Sequence, residues 1–339
     1  MMQYNLNIQR EILPSTILML GYVGSHGVHL LTGIERNPPL PTIDANGVYH
    51  FSSPTGVQNP RRNPNLLYFV TNQPITTSRY HSLQVVLNRR FSSSVQAQVS
   101  YTWSRCMDTG AFGVGSFNGL NVTPSAVENP FDSSNERAAC SFDIPQVLRI
   151  NGLWALPFHG NRLVEGWQLS GIMNNYGGVP INVNTGFDRA VFTSGSAPRP
   201  NYVPDNPAQT VSGIALPACN NNPILGRDGF DTIGKWFNPN CYALEPVGTF
   251  GNTGRNTLRG PSFFNFDISL LKDTRITEQI KLQFRAEFFN ITNHTNLGFP
   301  NNNVFSASGL INAATVGTIT ASNVGSTPRQ IQLALKLTF

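Results

Sequence analysis

The last eleven residues, Arg329-Gln330-Ile331-Gln332-Leu333-Ala334-Leu335-Lys336-Leu337-Thr338-Phe339, alternate apolar and polar side chains up to a terminal aromatic. That is the pattern of a strand with one greasy and one wet face. Ile331, Leu333, Leu335, Leu337 and Phe339 share one face, and Gln330, Gln332, Lys336 and Thr338 the other. Ala334 alone interrupts the polar row, and a small side chain is cheap on either side. The length suits a strand that crosses a bilayer at a tilt. A chain ending this way is expected to present its final strand to the machinery that inserts barrels into an outer membrane. Taken alone, the segment also fits the edge strand of a soluble sandwich, so the rest of the chain has to decide.

Composition favours the membrane. Only 12% of the 339 residues are charged, about half the usual share, and the polarity comes from Asn, Gln, Ser and Thr. Such residues fill a wet lumen and surface loops while the other face of each strand meets lipid. The net charge of +5 is spread along the chain, with no basic run beyond Arg61-Arg62 and Arg89-Arg90, so nucleic acid is not an expected partner. No stretch approaches the roughly 18 uninterrupted apolar residues of a membrane helix. A membrane-spanning form of this chain must therefore be built of strands. The first ten residues lack the basic start, apolar core and cleavage site of a secretory signal, so the chain is expected to be a fragment of a longer protein.

Strands come in pairs. Tyr4, Leu6 and Ile8 oppose Gln3, Asn5, Asn7 and Gln9, and after Leu13-Pro14-Ser15 a second run extends from Thr16 to about Leu30, with Leu18, Leu20 and Tyr22 outward. In the next pair His81, Leu83, Val85, Leu87 and Phe91 face out, followed by Val95, Ala97, Val99, Tyr101 and Trp103. A third pair places Leu148, Ile150, Trp154 and Leu156 out and Arg149 and Asn151 in, turns near His159, and returns with Trp167 and Leu169 out. In the fourth, Phe264, Phe266, Ile268 and Leu270 oppose Asn265, Asp267 and Ser269, and Ile280, Leu282, Phe284, Ala286 and Phe288 oppose Lys281, Gln283, Arg285 and Glu287. An Arg or Lys facing lipid at mid-bilayer costs ~2–4 kcal/mol, so Asp267, Lys281, Arg285 and Glu287 mark the wet side.

Short turns near Pro14, Ser93, His159 and Asp273 alternate with long Gly-, Pro-, Asn- and Ser-rich connections over residues 31–78, 108–143, 186–260 and 291–328. Short periplasmic turns and long extracellular loops are the signature of a transmembrane barrel, and long structureless connectors are uncommon in compact domains. The expected fold is all-β: an antiparallel transmembrane β-barrel segment of about 9–10 strands of a larger barrel. Gly317-Thr318-Ile319-Thr320 is the candidate tenth strand, read as part of the last loop. The odd count and the downward first strand predict further strands upstream. Nine strands unable to close would leave two exposed edges, giving an open sheet or aggregation.

Seven blocks carry a family resemblance: Gln3-Tyr4-Asn5-Leu6-Asn7-Ile8-Gln9-Arg10-Glu11, Gly21-Tyr22-Val23-Gly24-Ser25-His26-Gly27, Tyr80-His81-Ser82-Leu83-Gln84, Ser100-Tyr101-Thr102-Trp103-Ser104, Asp143-Ile144-Pro145, Gly166-Trp167-Gln168-Leu169-Ser170-Gly171 and Arg285-Ala286-Glu287-Phe288-Phe289-Asn290-Ile291-Thr292-Asn293. In this order they resemble the C-terminal part of a TonB-dependent outer-membrane receptor of the Oar-like kind, over nearly the whole chain. The resemblance implies that residues 1–339 belong to one barrel of about 22 strands. It also implies an upstream plug and TonB-contact segment, and a TonB complex that powers transport of an extracellular solute. Plug, TonB-contact segment and signal peptide have no counterpart in this sequence. A structural or adhesive surface barrel is the alternative function.

Residues with site chemistry are few. Cys106, Cys140, Cys219 and Cys241 fall in or beside expected extracellular loops and lack CxxC metal spacing. Pairing Cys106 with Cys140 and Cys219 with Cys241 keeps each bridge within one loop and is preferred to the other two connectivities, with four free thiols as the remaining alternative. Arg149, Asp267, Lys281, Arg285 and Glu287 are expected in the lumen, as a solvated or paired charge ladder or in contact with plug or substrate. The loop aromatics Tyr202, Phe230, Trp236, Phe237 and Tyr242 are expected to contribute to ligand recognition. His26 and His29, three apart, should lie on opposite strand faces and share no metal. Asp132, Glu136 and Asp143 are acidic but lack calcium-loop spacing. Residues 110–116 are glycine-rich without the Lys-Ser/Thr of a phosphate loop. Asn121-Val122-Thr123 and Asn290-Ile291-Thr292 match a glycosylation acceptor, and no Gly-x-Ser-x-Gly elbow is present. No cofactor, metal or enzymatic activity is expected; location in the cell outer membrane, contact with its lipid and binding of an unidentified extracellular ligand are.

Overall fold

A computed structural model describes residues 1–92, 94–110, 116–117, 120–121, 127–192 and 198–339. Its frame is nine long strands: β1 (Met2–Leu13), β2 (Thr16–Glu35), β3 (Val70–Ser92), β4 (Val95–Asp108), β5 (Gln146–Ala155), β6 (Trp167–Tyr176), β7 (Phe263–Arg275), β8 (Lys281–Phe289) and β9 (Gln330–Thr338). Each pairs antiparallel with its chain neighbours in one meander, and the two-residue strand Ala138–Ala139 adds to the top of β4. β1 and β9 do not pair with each other among the described residues, so the barrel is not closed. Residues 317–320 form no strand.

Register carries the alternation across the sheet. Leu333 lies opposite Ala286, Ala286 opposite Leu270, Leu270 opposite Leu169 and Leu169 opposite Trp154. The same face holds Tyr101, Leu87 and Leu20 on the earlier strands. Much of this face has no protein covering: Leu335 is 71% exposed, Leu333 69% and Trp103 60%. In water such a continuous apolar face would be a liability, and in a bilayer it is the lipid contact. The outward face does carry Lys272, but at the short-turn end. There its Nζ donates to Arg162 O at 2.9 Å and Glu165 O at 2.5 Å and lies over the Trp167 ring.

Three boundaries differ from the sequence reading. β2 runs on to Glu35 and β3 begins at Val70, pairing as Glu35↔Val70 and Thr32↔Gln73 above a bulge between Gly27 and Leu30. The bulge, with His29 at φ 56°, breaks the alternation that would have revealed the continuation and removes the basis for assigning His26 and His29 to opposite faces. The fourth turn lies at residues 276–280, because Asp273 stays in the ladder opposite Gln283 and pairs with Lys281 Nζ at 2.8 Å. Ser93 and the side chains of Phe91 and Ser92, in the second turn, lie outside the described residues.

The hydrophobic core sits outside the sheet, in the long connections. Ile181, Val183, Cys219, Phe237, Cys241, Tyr242, Leu258, Val304, Phe305 and Val316 form one cluster, and Phe51, Ala190 and Phe192 a second. The long loops, rich in Gly, Pro, Asn and Ser, interlock. Phe51 N donates to Gly248 O at 2.7 Å, Asn256 Nδ2 to Ala139 O at 2.7 Å, Trp236 N to Gly317 O at 2.7 Å and Asn302 Nδ2 to Asn182 O at 2.8 Å. Within this body the helix α1 (Gly226–Ile233) ends on Gly234 at φ 69°, the left-handed closure that glycine permits without strain.

Candidate functional site

On the inward face the charges pair along and across neighbouring strands. Lys281 meets Asp273, Arg285 Nη1 lies 3.6 Å from Glu287 Oε1, and Asp267 accepts from Asn265 Nδ2 at 2.9 Å and Asn290 N at 2.8 Å. The Arg149 guanidinium stands 5.5 Å from the Tyr176 ring centroid. The five polar residues read as lumenal therefore share one face by register, Arg285 and Glu287 facing each other and the other three held by neighbouring polar and aromatic groups. A lumen cavity of about 380 Å³ lies under the second long loop, between Tyr80, Gln84, Ser100, Thr102, Phe142 and Arg149.

Cys106 is bonded to Cys140 and Cys219 to Cys241, with Cα separations of 5.4 and 4.9 Å, and all four are buried. The first bridge ties the top of β4 to the second long loop. The second closes the third loop beside Phe237 and Tyr242.

Around these bridges runs a buried ionic network that the sequence reading did not find. Arg199 Nη2 lies 2.5 Å from Glu128 Oε2 and 2.9 Å from Glu136 Oε1. Arg255, nearly inaccessible, pairs with Asp108 and Glu136, and Arg259 Nη2 reaches Asp143 Oδ2 at 2.5 Å. Burial pushes Glu128 up to about 7 against the opposing pull of Arg199. Burial likewise raises Glu245 to about 7, even though its carboxylate accepts from Thr185 Oγ1 at 3.2 Å. Burial lowers Lys235, whose Nζ donates to Ala313 O at 2.6 Å and Val316 O at 2.9 Å. The sequence signal for this network was weak, because loop charges normally face water.

One cleft of about 460 Å³ opens on the loop body. Asp44, Tyr49 and His50 from the first long loop, Glu128 and Asp132 from the second, and Arg199 and Phe250 from the third line it. Asp44 accepts from Val48 N at 3.0 Å and pairs with His50 at 3.2 Å, which hold its carboxyl below the usual range. The cleft thus sets the paired acids Asp44 and Glu128 and the Arg199 guanidinium beside the Tyr49 and Phe250 rings, a polar surface with aromatic faces.

Other candidates separate. Asp132 accepts from Ser134 N, Glu136 serves the two arginines and Asp143 accepts from Cys106 N at 2.7 Å, so the three acids do not converge. Among the described residues no group of three His, Cys, Asp or Glu could hold a metal. The aromatics expected to recognise ligand are mostly spent inside the loop core: Phe237 and Tyr242 are buried in the main cluster, and Trp236 Nε1 donates to Arg259 O at 2.7 Å. Apolar surface in a long loop needs burial before it is free for a ligand, and here these aromatics help form the core of the loop body. Residues 111–115 of the glycine-rich stretch, and Val122 and Thr123, lie outside the described residues. In the other acceptor motif Asn290 is buried, its Nδ2 donating to His294 O and Thr327 O.

An antiparallel meander with short turns at one end, folded loops at the other and an uncovered apolar outward face defines an outer-membrane barrel protein. The model of the outer membrane beta barrel domain matches residues 1–332, and the chain belongs to that family. Its location is the outer membrane. Among solved structures it is similar to the outer membrane transporter YddB from Escherichia coli, with TM-score 0.46 and 10% identity over 99% of this chain and 32% of that one. It is less similar to the siderophore receptor PiuA from Acinetobacter baumannii, with TM-score 0.20 and 10% identity over 99% of this chain and 55% of that one. The chain thus spans about a third of the length of YddB. A stretch of 69 residues, 20% of the chain and 10% of the relative, is 33% identical to the transcription activator of gluconeogenesis acuK from Aspergillus oryzae, too short a match to assign anything.

Proposed function

We propose that the protein is the C-terminal barrel portion of a TonB-dependent, Oar-like receptor that captures a solute outside the cell and passes it through its lumen. The observation that supports this reading most is the polarity of the architecture. All short turns lie at one end, and the long connections fold at the other into a body with a cleft above a polar lumen. The seven blocks of family-like sequence supply the TonB-dependent part of the reading. The paired polar groups and aromatics of the cleft suit a polar solute with apolar faces. The reading assigns the protein no catalysis.

The test uses the native protein in isolated outer membranes, detected with an antibody to Gln330–Phe339. A band well above 37.2 kDa that forms a cross-linked adduct with TonB is expected. A band at 37.2 kDa without any adduct overturns the receptor reading in favour of a structural or adhesive barrel.

A further inference from the structure

A bilayer's apolar band about 25 Å tall, crossed at a tilt near 40° with ~3.4 Å per residue, takes about ten residues of each strand. Counted from the short turns, the upper edge of the band falls near Ser25 on β2, residues 80–83 on β3 and Ser104 on β4. The register agrees, setting Tyr22 opposite Leu83 and Leu83 opposite Trp103, then Gly24 opposite His81 and His81 opposite Arg105. One step higher, His26 lies opposite Arg79. The outward face therefore passes, within two rows, from Tyr22, Leu83 and Trp103 to His81, Arg105 and Arg79. This is the order in which a lipid passes from acyl chain to headgroup.

These side chains are open. Tyr22, Leu83 and Trp103 are exposed, as are Arg79, His81 and Arg105. His81 is fixed by Tyr22, whose hydroxyl lies 2.7 Å from Nδ1 with the rings stacked. Among the described residues neither Arg79 nor Arg105 has an ion-pair or side-chain hydrogen-bond partner. β5 begins opposite Trp103, so the upper part of β4 borders a recess of about 590 Å³, lined by Tyr22, His81, Leu83, Trp103, Arg105 and Arg259 among others. Asp143, the acid in that lining, is committed to Arg259 and to Cys106 N. Arg259 remains partly exposed there.

We infer that this recess binds the phosphate-bearing headgroup of an outer-leaflet lipid, with Arg105 on the phosphate, Arg79, His81 and the Asp143-paired Arg259 beside it, and Tyr22, Leu83 and Trp103 against the first acyl carbons. Guanidinium groups match phosphate oxygens in bidentate geometry, and aromatic side chains prefer the depth at which acyl chain gives way to headgroup. The apolar row selects a lipid over a soluble phosphate, which would leave Trp103 and Leu83 unused.

The test isolates the native protein from outer membranes in non-ionic detergent and measures co-purifying lipid phosphorus by native mass spectrometry. The wild type, Arg105→Lys, Arg105→Gln with Arg79→Gln, and Trp103→Ala are compared, each accepted only if it keeps its heat-modifiable folded band. The expected result is a bound lipid in the wild type, reduced a few-fold by Arg105→Lys, which keeps the charge but not the bidentate fork, and about tenfold by the Gln pair and by Trp103→Ala. Equal lipid in all four overturns the inference. Displacement by inorganic phosphate, with Trp103→Ala unaffected, overturns the lipid assignment and leaves a simple anion site. Neither result bears on TonB coupling or on solute uptake.

Discussion

Phe237 is fully buried where three stretches of loop meet, packed with Leu258 and Val316 and edge-on to Tyr242 at 6.2 Å between ring centroids. Phe237→Ala removes most of an aromatic side chain from this position. The transfer cost is ~2–3 kcal/mol for a fully buried Phe. A residual cavity on the order of 100 Å³ at ~24 cal/mol per Å³ adds about 2 kcal/mol, for a total near 4–5 kcal/mol. A local folding unit has only a few kcal/mol to lose, so the loop body should open while the strands, which Phe237 does not touch, remain. The assay is limited proteolysis and amide exchange of the native protein in detergent. Protection should collapse across residues 177–262 and 290–329, with β5 to β8 unchanged and the folded band retained on gels. Unchanged loop protection would refute the interlocked core, and simultaneous loss of strand protection would refute its separation from the sheet.

Ile150 and Asn151 are adjacent near the middle of β5, one outward and one inward; Ile150→Arg should cost ~2–4 kcal/mol in refolding into vesicles and Asn151→Arg less than 1 kcal/mol, read from urea midpoints. Replacing Cys219 and Cys241 by Ser should weaken the third loop by about 3 kcal/mol, read as faster cleavage within residues 177–262. For pH, Glu128 and Glu245 are raised to about 7 by burial, so the folded loops bind protons more tightly than the unfolded chain. Their contribution is complete below the ordinary carboxylate range and lost as pH rises through about 7. The thermal midpoint of the loop body, followed by Trp236 fluorescence, should fall from pH 5 to pH 8, and Glu128→Gln should flatten that slope.

The strands were legible because alternation is local: Phe264 to Leu270 or Ile331 to Phe339 declare two faces without knowledge of their neighbours. The within-loop pairing of Cys106 with Cys140 and of Cys219 with Cys241 was also readable, from spacing between strands. Strand ends were less so. A bulge at His29 hides how far β2 extends, and Asp273 looks like a turn residue while it remains paired in the ladder. The loop core was not legible, because Ile181, Phe237, Leu258 and Val316 are scattered over more than a hundred residues without periodicity. Asparagine misled in the same way. Asn238 and Asn240 look like solvated loop polarity, yet both are buried, with Nδ2 donating to the carbonyl of Pro217. In a body with little regular structure, side-chain amides take over the backbone pairing that ladders would otherwise supply. The cleft combines residues of three loops, so only folding reveals it.

If the outward face meets lipid and the inward face water, spin labels placed singly along β9 will report the difference residue by residue. In native outer membranes, labels at 331, 333, 335 and 337 should collide with oxygen, and labels at 332, 334 and 336 with a water-soluble nickel chelate, in strict alternation. Uniform access to the nickel chelate along β9 would make both faces wet and return the chain to a water-exposed sheet.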